Sequence, residues 1–178
     1  EQNFKVTAFC HYNSFGSTGW IHAIPKSIKK KLTIILGDIR DHFFINDLIK
    51  KHEYIFHLAS LISIPYSYNA FSSYVETNIN GTLNILNACR SNKIKRLLIT
   101  STSEVYGSAL YTPIDEGHPL QAQSPYSATK IASDNLSISF FKSFNVPLVV
   151  ARPFNAYGPR QSERAVIPTI ISQMIKKN

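Results

Sequence analysis

Ser101, Thr102 and Ser103, with Glu104, place three hydroxyls and a carboxylate directly after the aliphatic run at residues 96–100, in the stretch Thr100-Ser101-Thr102-Ser103-Glu104-Val105-Tyr106-Gly107. So polar an exit from a buried run serves chemistry better than packing. Further along, Tyr126-Ser127-Ala128-Thr129-Lys130 spaces a phenol and an ammonium four residues apart, which sets both on one face of a helix. A cation beside a phenol favours phenolate and lowers its pKa, so such a pair can act as a base near neutral pH. Chance alone yields about one Tyr-x-x-x-Lys in a chain this rich in both residues, and a helix-surface contact would explain it equally well. What gives the pair weight is the order: strand, hydroxyl cluster, helix with Tyr and Lys, then another strand followed by Arg152-Pro153-Phe154-Asn155-Ala156-Tyr157-Gly158-Pro159-Arg160.

The elements that must hold these residues read as alternating strands and helices. Short β-branched or aromatic runs at residues 4–10, 32–36, 54–58, 96–100 and 147–151 predict buried strands, and helical periodicity covers residues 74–91 and 128–144. Such alternation predicts an α/β fold with a parallel sheet covered on both faces, in which ligands sit at the carboxyl ends of the strands. After the first of these strands come residues 11–19, whose Gly16 and Gly19 read as a flexible loop. No acid stands there to grip an adenine-ribose hydroxyl, which leaves NAD and NADP both open. After the second come Gly37-Asp38-Ile39-Arg40-Asp41, where a carboxylate could face an adenine and Asp41 could cap the next helix. After the third come His57-Leu58-Ala59-Ser60, small enough for a cofactor to lie against the backbone.

Composition sets the outer bounds. With 178 residues, 44% hydrophobic and 17% charged, the chain is ordinary globular material, and no apolar run approaches the roughly 18 residues of a membrane span. The net charge of +8 comes from lysine clusters at residues 26–31, 50–51, 93–96 and 176–177, which read as solvated helix ends rather than a nucleic-acid surface and also suit a phosphate-bearing substrate. Cys10 and Cys89 have no metal-site spacing and read as small core residues. The start at Glu1-Gln2-Asn3 and the end at Lys177-Asn178 both look cut, and a cytoplasmic location is expected.

Taken in order, Gly-Asp-Ile, His-Leu-Ala, Ser-Thr-Ser-Glu-Val-Tyr-Gly, Tyr-x-x-x-Lys and Arg-Pro-Phe-Asn-x-Tyr-Gly-Pro-Arg span nearly the whole chain. The set resembles the extended short-chain dehydrogenase/reductase family, the NAD-dependent nucleotide-sugar epimerases, dehydratases and decarboxylases. Tyr12-Asn13-Ser14-Phe15, Ile64-Pro65-Tyr66-Ser67-Tyr68 and Ala165-Val166-Ile167-Pro168 bring it nearest to bacterial UDP-N-acetylglucosamine 4,6-dehydratases of the legionaminic-acid pathway type.

This resemblance implies a doubly wound, Rossmann-like parallel sheet truncated at both ends, lacking its first strand with the Gly-rich loop and its C-terminal substrate lobe. Residues 1–160 would be a partial dinucleotide-binding domain and 161–178 the start of the substrate-binding region. Without the central strand, two strand edges are expected to stand unpaired, and the piece alone is expected to be unstable and inactive. The resemblance casts Thr102 as the hydroxyl polarising the sugar O4, Tyr126 as the base, and Lys130 as its partner and a ribose ligand. It marks Asp38, Ile39, Leu58, Ala59 and Ser60 as cofactor contacts, puts Phe154 near the nicotinamide, and marks Asn155 with Val166, Ile167 and Pro168 as substrate contacts. Asn78 matches a family position whose expected role is structural.

In the implied 4,6-dehydratase reaction a transient 4-ketone acidifies C5, Glu104 removes the C5 proton, and water leaves from C6. Many dehydratases carry Asp where this chain has Ser103, so a Ser103-bound water or protonated Glu104 would have to supply the acid. A 4-epimerase, a UDP-glucuronate decarboxylase sharing the Ser-Thr-Ser-Glu run, and a non-catalytic dinucleotide-binding protein are the alternatives. A homodimer through helices at residues 74–91 and 127–144 is implied for the full-length protein, with a nucleotide sugar as substrate and neither nucleic acid nor membrane as partner.

Overall fold

Five runs become five parallel strands: β1 (Val6–His11), β2 (Leu32–Gly37), β3 (Tyr54–His57), β4 (Arg96–Thr100) and β5 (Leu148–Ala151). The computed structural model describes residues 4–163 and 165–176, so the features expected at residues 1–3 and 177–178 lie outside the described residues. Between the strands run α1 (Lys26–Lys29), α2 (His42–Ile49), α3 (Ile64–Ser67), α4 (Phe71–Tyr74), α5 (Gly81–Ser91) and α6 (Pro125–Phe144), with α7 (Val166–Lys176) after β5. Alternation along β4 shows why the strands bury one face. Leu97 and Ile99 lie inside, against Ile45 and Ile49 of α2, Leu86 and Cys89 of α5 and Phe140 of α6.

The strands form two sheets. β1 pairs with β2, Val6 opposite Leu32, while β3, β4 and β5 pair in that order, Phe56 opposite Leu98 and Leu98 opposite Val149. The two sheets meet near β1 and the start of β3. The Thr7 hydroxyl meets His52 Nε2 at 2.8 Å, and the Phe4 ring stands edge-on to Tyr54 at 6.1 Å. With β1 and β3 at that junction, the two parallel sheets and their helices make a Rossmann-like, doubly wound fold. Among the described residues each of those two strands has one paired edge only, as expected from the sequence. The face of the sheet opposite α2, α5 and α6 is open, with Phe56 69% exposed and Val149 46% exposed.

Local chemistry sets the helix boundaries. Asp41 caps α2, its Oδ1 accepting from the Phe44 N–H at 3.0 Å. α6 begins at Pro125, three residues before its apolar periodicity, because Ser124 and Ser127 form a reciprocal capping box, and it ends at Asn145 in the left-handed conformation. The helix expected across residues 74–91 is corrected: Val75–Asn80 is a π-helical segment between α4 and α5. Its wider turn accompanies the inward placement of Asn78. Asn78 Oδ1 accepts from the Leu61 N–H (2.8 Å) and the Ser60 hydroxyl (2.9 Å), and its Nδ2 donates to the Leu61 carbonyl and the Thr129 hydroxyl, both at 3.0 Å. One buried amide thus ties the loop after β3 to α6, the structural role expected for it.

Candidate active site

At the carboxyl end of β4 the chain passes through an extended Thr102 into a 3-10 turn, Ser103–Val105, and Thr102 Oγ1 caps that turn by accepting from the Glu104 N–H at 3.2 Å. The first turn of α6 carries Tyr126, and the next carries Lys130, both buried. The Thr102 hydroxyl acts on the Tyr126 phenol, whose ring stands edge-on to Tyr74 at 6.3 Å. Glu104 is exposed, its charge acting on Tyr126. The structure therefore brings Thr102, Glu104, Tyr126 and Lys130 to one strand exit. Ser103 is held beside them by its backbone N–H, which donates to the Pro153 carbonyl at 3.1 Å.

One expectation about this cluster is corrected: the Tyr126 phenol stands above its ordinary value rather than below it, and the Lys130 ammonium donates to the Thr100 carbonyl at 2.6 Å. Burial pushes the Tyr126 phenol above its ordinary value, the Thr102 hydroxyl pulls it back, and Glu104 and Tyr74 push it up further. Burial also lowers the Lys130 ammonium, against which the Asp134 carboxylate acts.

The expected cofactor contacts sit at the exits of β2, β3 and β5. Asp38 is held by Arg40, whose Nε donates to its two oxygens at 2.9 and 3.1 Å, and the guanidinium draws its carboxyl down to about 2. Ile39 is buried in the core, so its side chain packs under the site rather than facing a ligand. Leu58 and Ala59 are exposed, whereas Ser60 is bonded to Asn78. Phe154 is exposed and stacks on Tyr106 at 6.4 Å, with Asn155 exposed beside it. Val166, Ile167 and Pro168 form the first turn of α7. Ile167 and Pro168 line an open cleft of about 640 Å³ with Tyr157, Arg160 and Glu163, while Thr102 and Tyr126 are not among its walls.

His57, noted in the sequence only as part of a small-residue stretch, lies buried against the Thr82 hydroxyl at 3.0 Å. Burial, with the charge of Lys130 adding to it, drives the imidazole down to about 3. The unfolded chain takes up a proton near 6.5 that the folded chain resists, so stability is full above that pH and is lost as pH falls toward 3, by at most about 1.4 kcal/mol per pH unit. His57→Gln, which can keep a hydrogen bond to Thr82, is expected to flatten the change in urea midpoint of the full-length protein between pH 6.5 and 5. An unchanged slope would assign the acid sensitivity elsewhere. Sequence reasoning also passed over Asp134, although its position four residues after Lys130 on one helix face was a usable signal.

A parallel doubly wound sheet with a hydroxyl, a phenol and a lysine gathered at one strand exit has the arrangement of the short-chain dehydrogenase/reductase enzymes. The family model for GDP-mannose 4,6 dehydratase matches residues 1–178, and the chain belongs to that family of nucleotide-sugar dehydratases and epimerases. It is 35% identical over 149 residues to a dTDP-glucose 4,6-dehydratase of Actinoplanes sp., covering 84% of this chain and 47% of the relative. The human dTDP-D-glucose 4,6-dehydratase is 31% identical, with 82% of this chain and 42% of the relative covered. The solved UDP-N-acetylglucosamine 4-epimerase of Methanobrevibacter ruminantium, in complex with UDP-N-acetylmuramic acid, superposes with a TM-score of 0.88 at 34% identity, over 98% of this chain and 56% of that one. The UDP-glucuronic acid 4-epimerase of Bacillus cereus in complex with NAD superposes with a TM-score of 0.87 at 27% identity, over 100% of this chain and 57% of that one. The chain spans about half the length of the curated relatives it matches. Among the described residues no helix is long and apolar enough to cross a membrane.

Proposed function

We propose that the full-length protein is a nucleotide-sugar 4,6-dehydratase, acting on UDP-N-acetylglucosamine in the manner of the legionaminic-acid pathway enzymes. The observation that carries this is Glu104, set two residues past Thr102 on the same turn and close enough for its charge to act on Tyr126. Exchanging hydride at C4 needs a hydroxyl, a phenol and a lysine; removing a proton from C5 needs a further base, and Glu104 is that base.

Thr102 donates its hydroxyl hydrogen to the sugar O4 and Tyr126 takes the O4 proton. Glu104 takes the C5 proton, made acidic by the neighbouring ketone, and passes it to the 6-hydroxyl, which leaves as water. C5 then receives a proton from solvent and the proton held by Tyr126 returns to solvent; with the hydride lost from C4 regained at C6, the net change is loss of one water.

The donor set fits a nicotinamide dinucleotide: Leu58 and Ala59 leave a strand exit open and free of bulk, and Lys130, Tyr126 and Thr102 converge one strand away. NAD, when bound, supplies the hydride acceptor and donor. Asp38, Ile39, Ser60 and Phe154 would frame that site, Ile39 through its backbone, with Asn155 and residues 166–168 opening the substrate region that starts at residue 161. The protein is proposed to act in the cytoplasm as a homodimer through α5 and α6.

A second reading is favoured by the 34% identity to an epimerase over 98% of the chain: inversion at C4 with no loss of mass. The two separate on mass spectrometry of the nucleotide sugar after incubation with NAD. UDP-N-acetylglucosamine lighter by one water supports dehydration, an unchanged mass with an inverted sugar supports epimerisation, and carbon dioxide released from UDP-glucuronate supports decarboxylation.

A further inference from the structure

Asp134 is fully buried one helical turn beyond Lys130, and its Oδ2 accepts from Arg152 Nε at 2.9 Å. Arg152 Nη1 in turn donates to the Tyr106 hydroxyl at 3.2 Å, and the guanidinium lies 5.3 Å from the Tyr106 ring centroid. Each partner belongs to a different part of the site. Asp134 is on the helix that carries Tyr126 and Lys130. Tyr106 closes the turn that carries Glu104, its N–H donating to the Ser103 carbonyl at 3.0 Å. Arg152 directly follows β5, next to Pro153, whose carbonyl holds Ser103. The second oxygen of Asp134, Oδ1, is buried with no hydrogen-bond partner among the described residues. One carboxylate is therefore ion-paired with Arg152 and lies one turn beyond Lys130 on the same helix, where its charge favours the ammonium.

We propose that Asp134, clamped by Arg152 and Tyr106, is a positioning residue that serves as the counter-ion of Lys130 and holds α6 in register with the Thr102–Glu104 turn. The proposal rests on Tyr126 and Lys130 being the catalytic pair. The charged or titratable groups around Lys130 are Tyr126 and Asp134 on its own helix, His57 on β3, and, through Asp134, Arg152 just after β5. His57 is neutral at ordinary pH, so Asp134 is the anion that opposes the effect of burial on the Lys130 charge. A purely structural ion pair would affect stability and leave the pH dependence of turnover where it was. A counter-ion sets the pH at which Lys130 loses its proton.

The test compares full-length wild type, Asp134→Asn, Asp134→Glu and Tyr126→Phe in pH profiles of kcat with NAD and the nucleotide sugar. Asp134→Asn is expected to move the alkaline limb down by about one pH unit, so that kcat falls by up to about tenfold above the wild-type limb and little below it, with KM changed by less than about threefold. Asp134→Glu restores the limb. Because the single Asn variant leaves Arg152 without a counter-charge and can fail to fold, Asp134→Asn is also combined with Arg152→Met, which removes both charges of the pair and still deprives Lys130 of its counter-ion. A downward shift is expected again, smaller because the Arg152 charge is lost with it. A folded variant of either kind with the wild-type alkaline limb overturns the proposal. Turnover by Tyr126→Phe at the wild-type rate would overturn the catalytic assignment itself, a separate failure.

Discussion

Tyr126→Phe in the full-length protein is expected to lower turnover of the nucleotide sugar by about 10²–10⁴-fold, the usual contribution of a positioned acid–base group. The substitution removes one oxygen and keeps the ring, which stands edge-on to Tyr74 at 6.3 Å, so melting temperature and nucleotide-sugar affinity should stay near wild type. The loss is therefore chemical. In the structure the phenol is pushed up by burial and by Glu104, and only the Thr102 hydroxyl pulls it down. Wild-type turnover should accordingly rise with pH until Tyr126 ionises, and this acid limb should vanish in Tyr126→Phe. Residual activity with the same limb would move the base to another group.

Glu104→Gln carries the second large effect. Loss of water is expected to fall by about 10²–10⁴-fold, while removal of hydrogen from C4 continues, because Thr102, Tyr126 and Lys130 are untouched. The variant should also shift the remaining C4 chemistry to lower pH: Glu104 raises the Tyr126 phenol, so neutralising it lets the phenol ionise more readily. A carboxylate that acted on Tyr126 only through its charge would produce the second result without the first. If Glu104→Gln dehydrates the sugar at the wild-type rate, Glu104 is not the C5 base and the case for dehydration over epimerisation loses its main support.

Much of this site was legible before any coordinates because strands and caps are local. The strand expected at residues 96–100 is β4, and Asp41 does cap α2. The clustering of Thr102 with Tyr126 followed from topology: a strand exit and the first turn of the next helix must meet when the helix packs back on the sheet. The single paired edges of β1 and β3 agree with the two unpaired edges that the family resemblance implied. Side-chain competition was not legible. Spacing placed Lys130 on the face of Tyr126 but could not reveal that the Thr100 carbonyl, on another element, takes up its ammonium. Nor could periodicity separate the π-helical segment Val75–Asn80 from an ordinary helix, since the difference lies in which carbonyl each N–H reaches. Arg152 stood in a recognised motif, yet its partner Asp134 is 18 residues away in sequence, and only folding joins them.

The most direct test of the dehydratase assignment is the reaction of the full-length protein with UDP-N-acetylglucosamine and NAD in heavy water, read by mass and by the position of deuterium. If Glu104 removes the C5 proton and C5 is reprotonated from solvent, the product has lost one water and carries one deuterium at C5. A product of unchanged composition that retains its original C5 hydrogen would contradict the assignment and make the protein an epimerase.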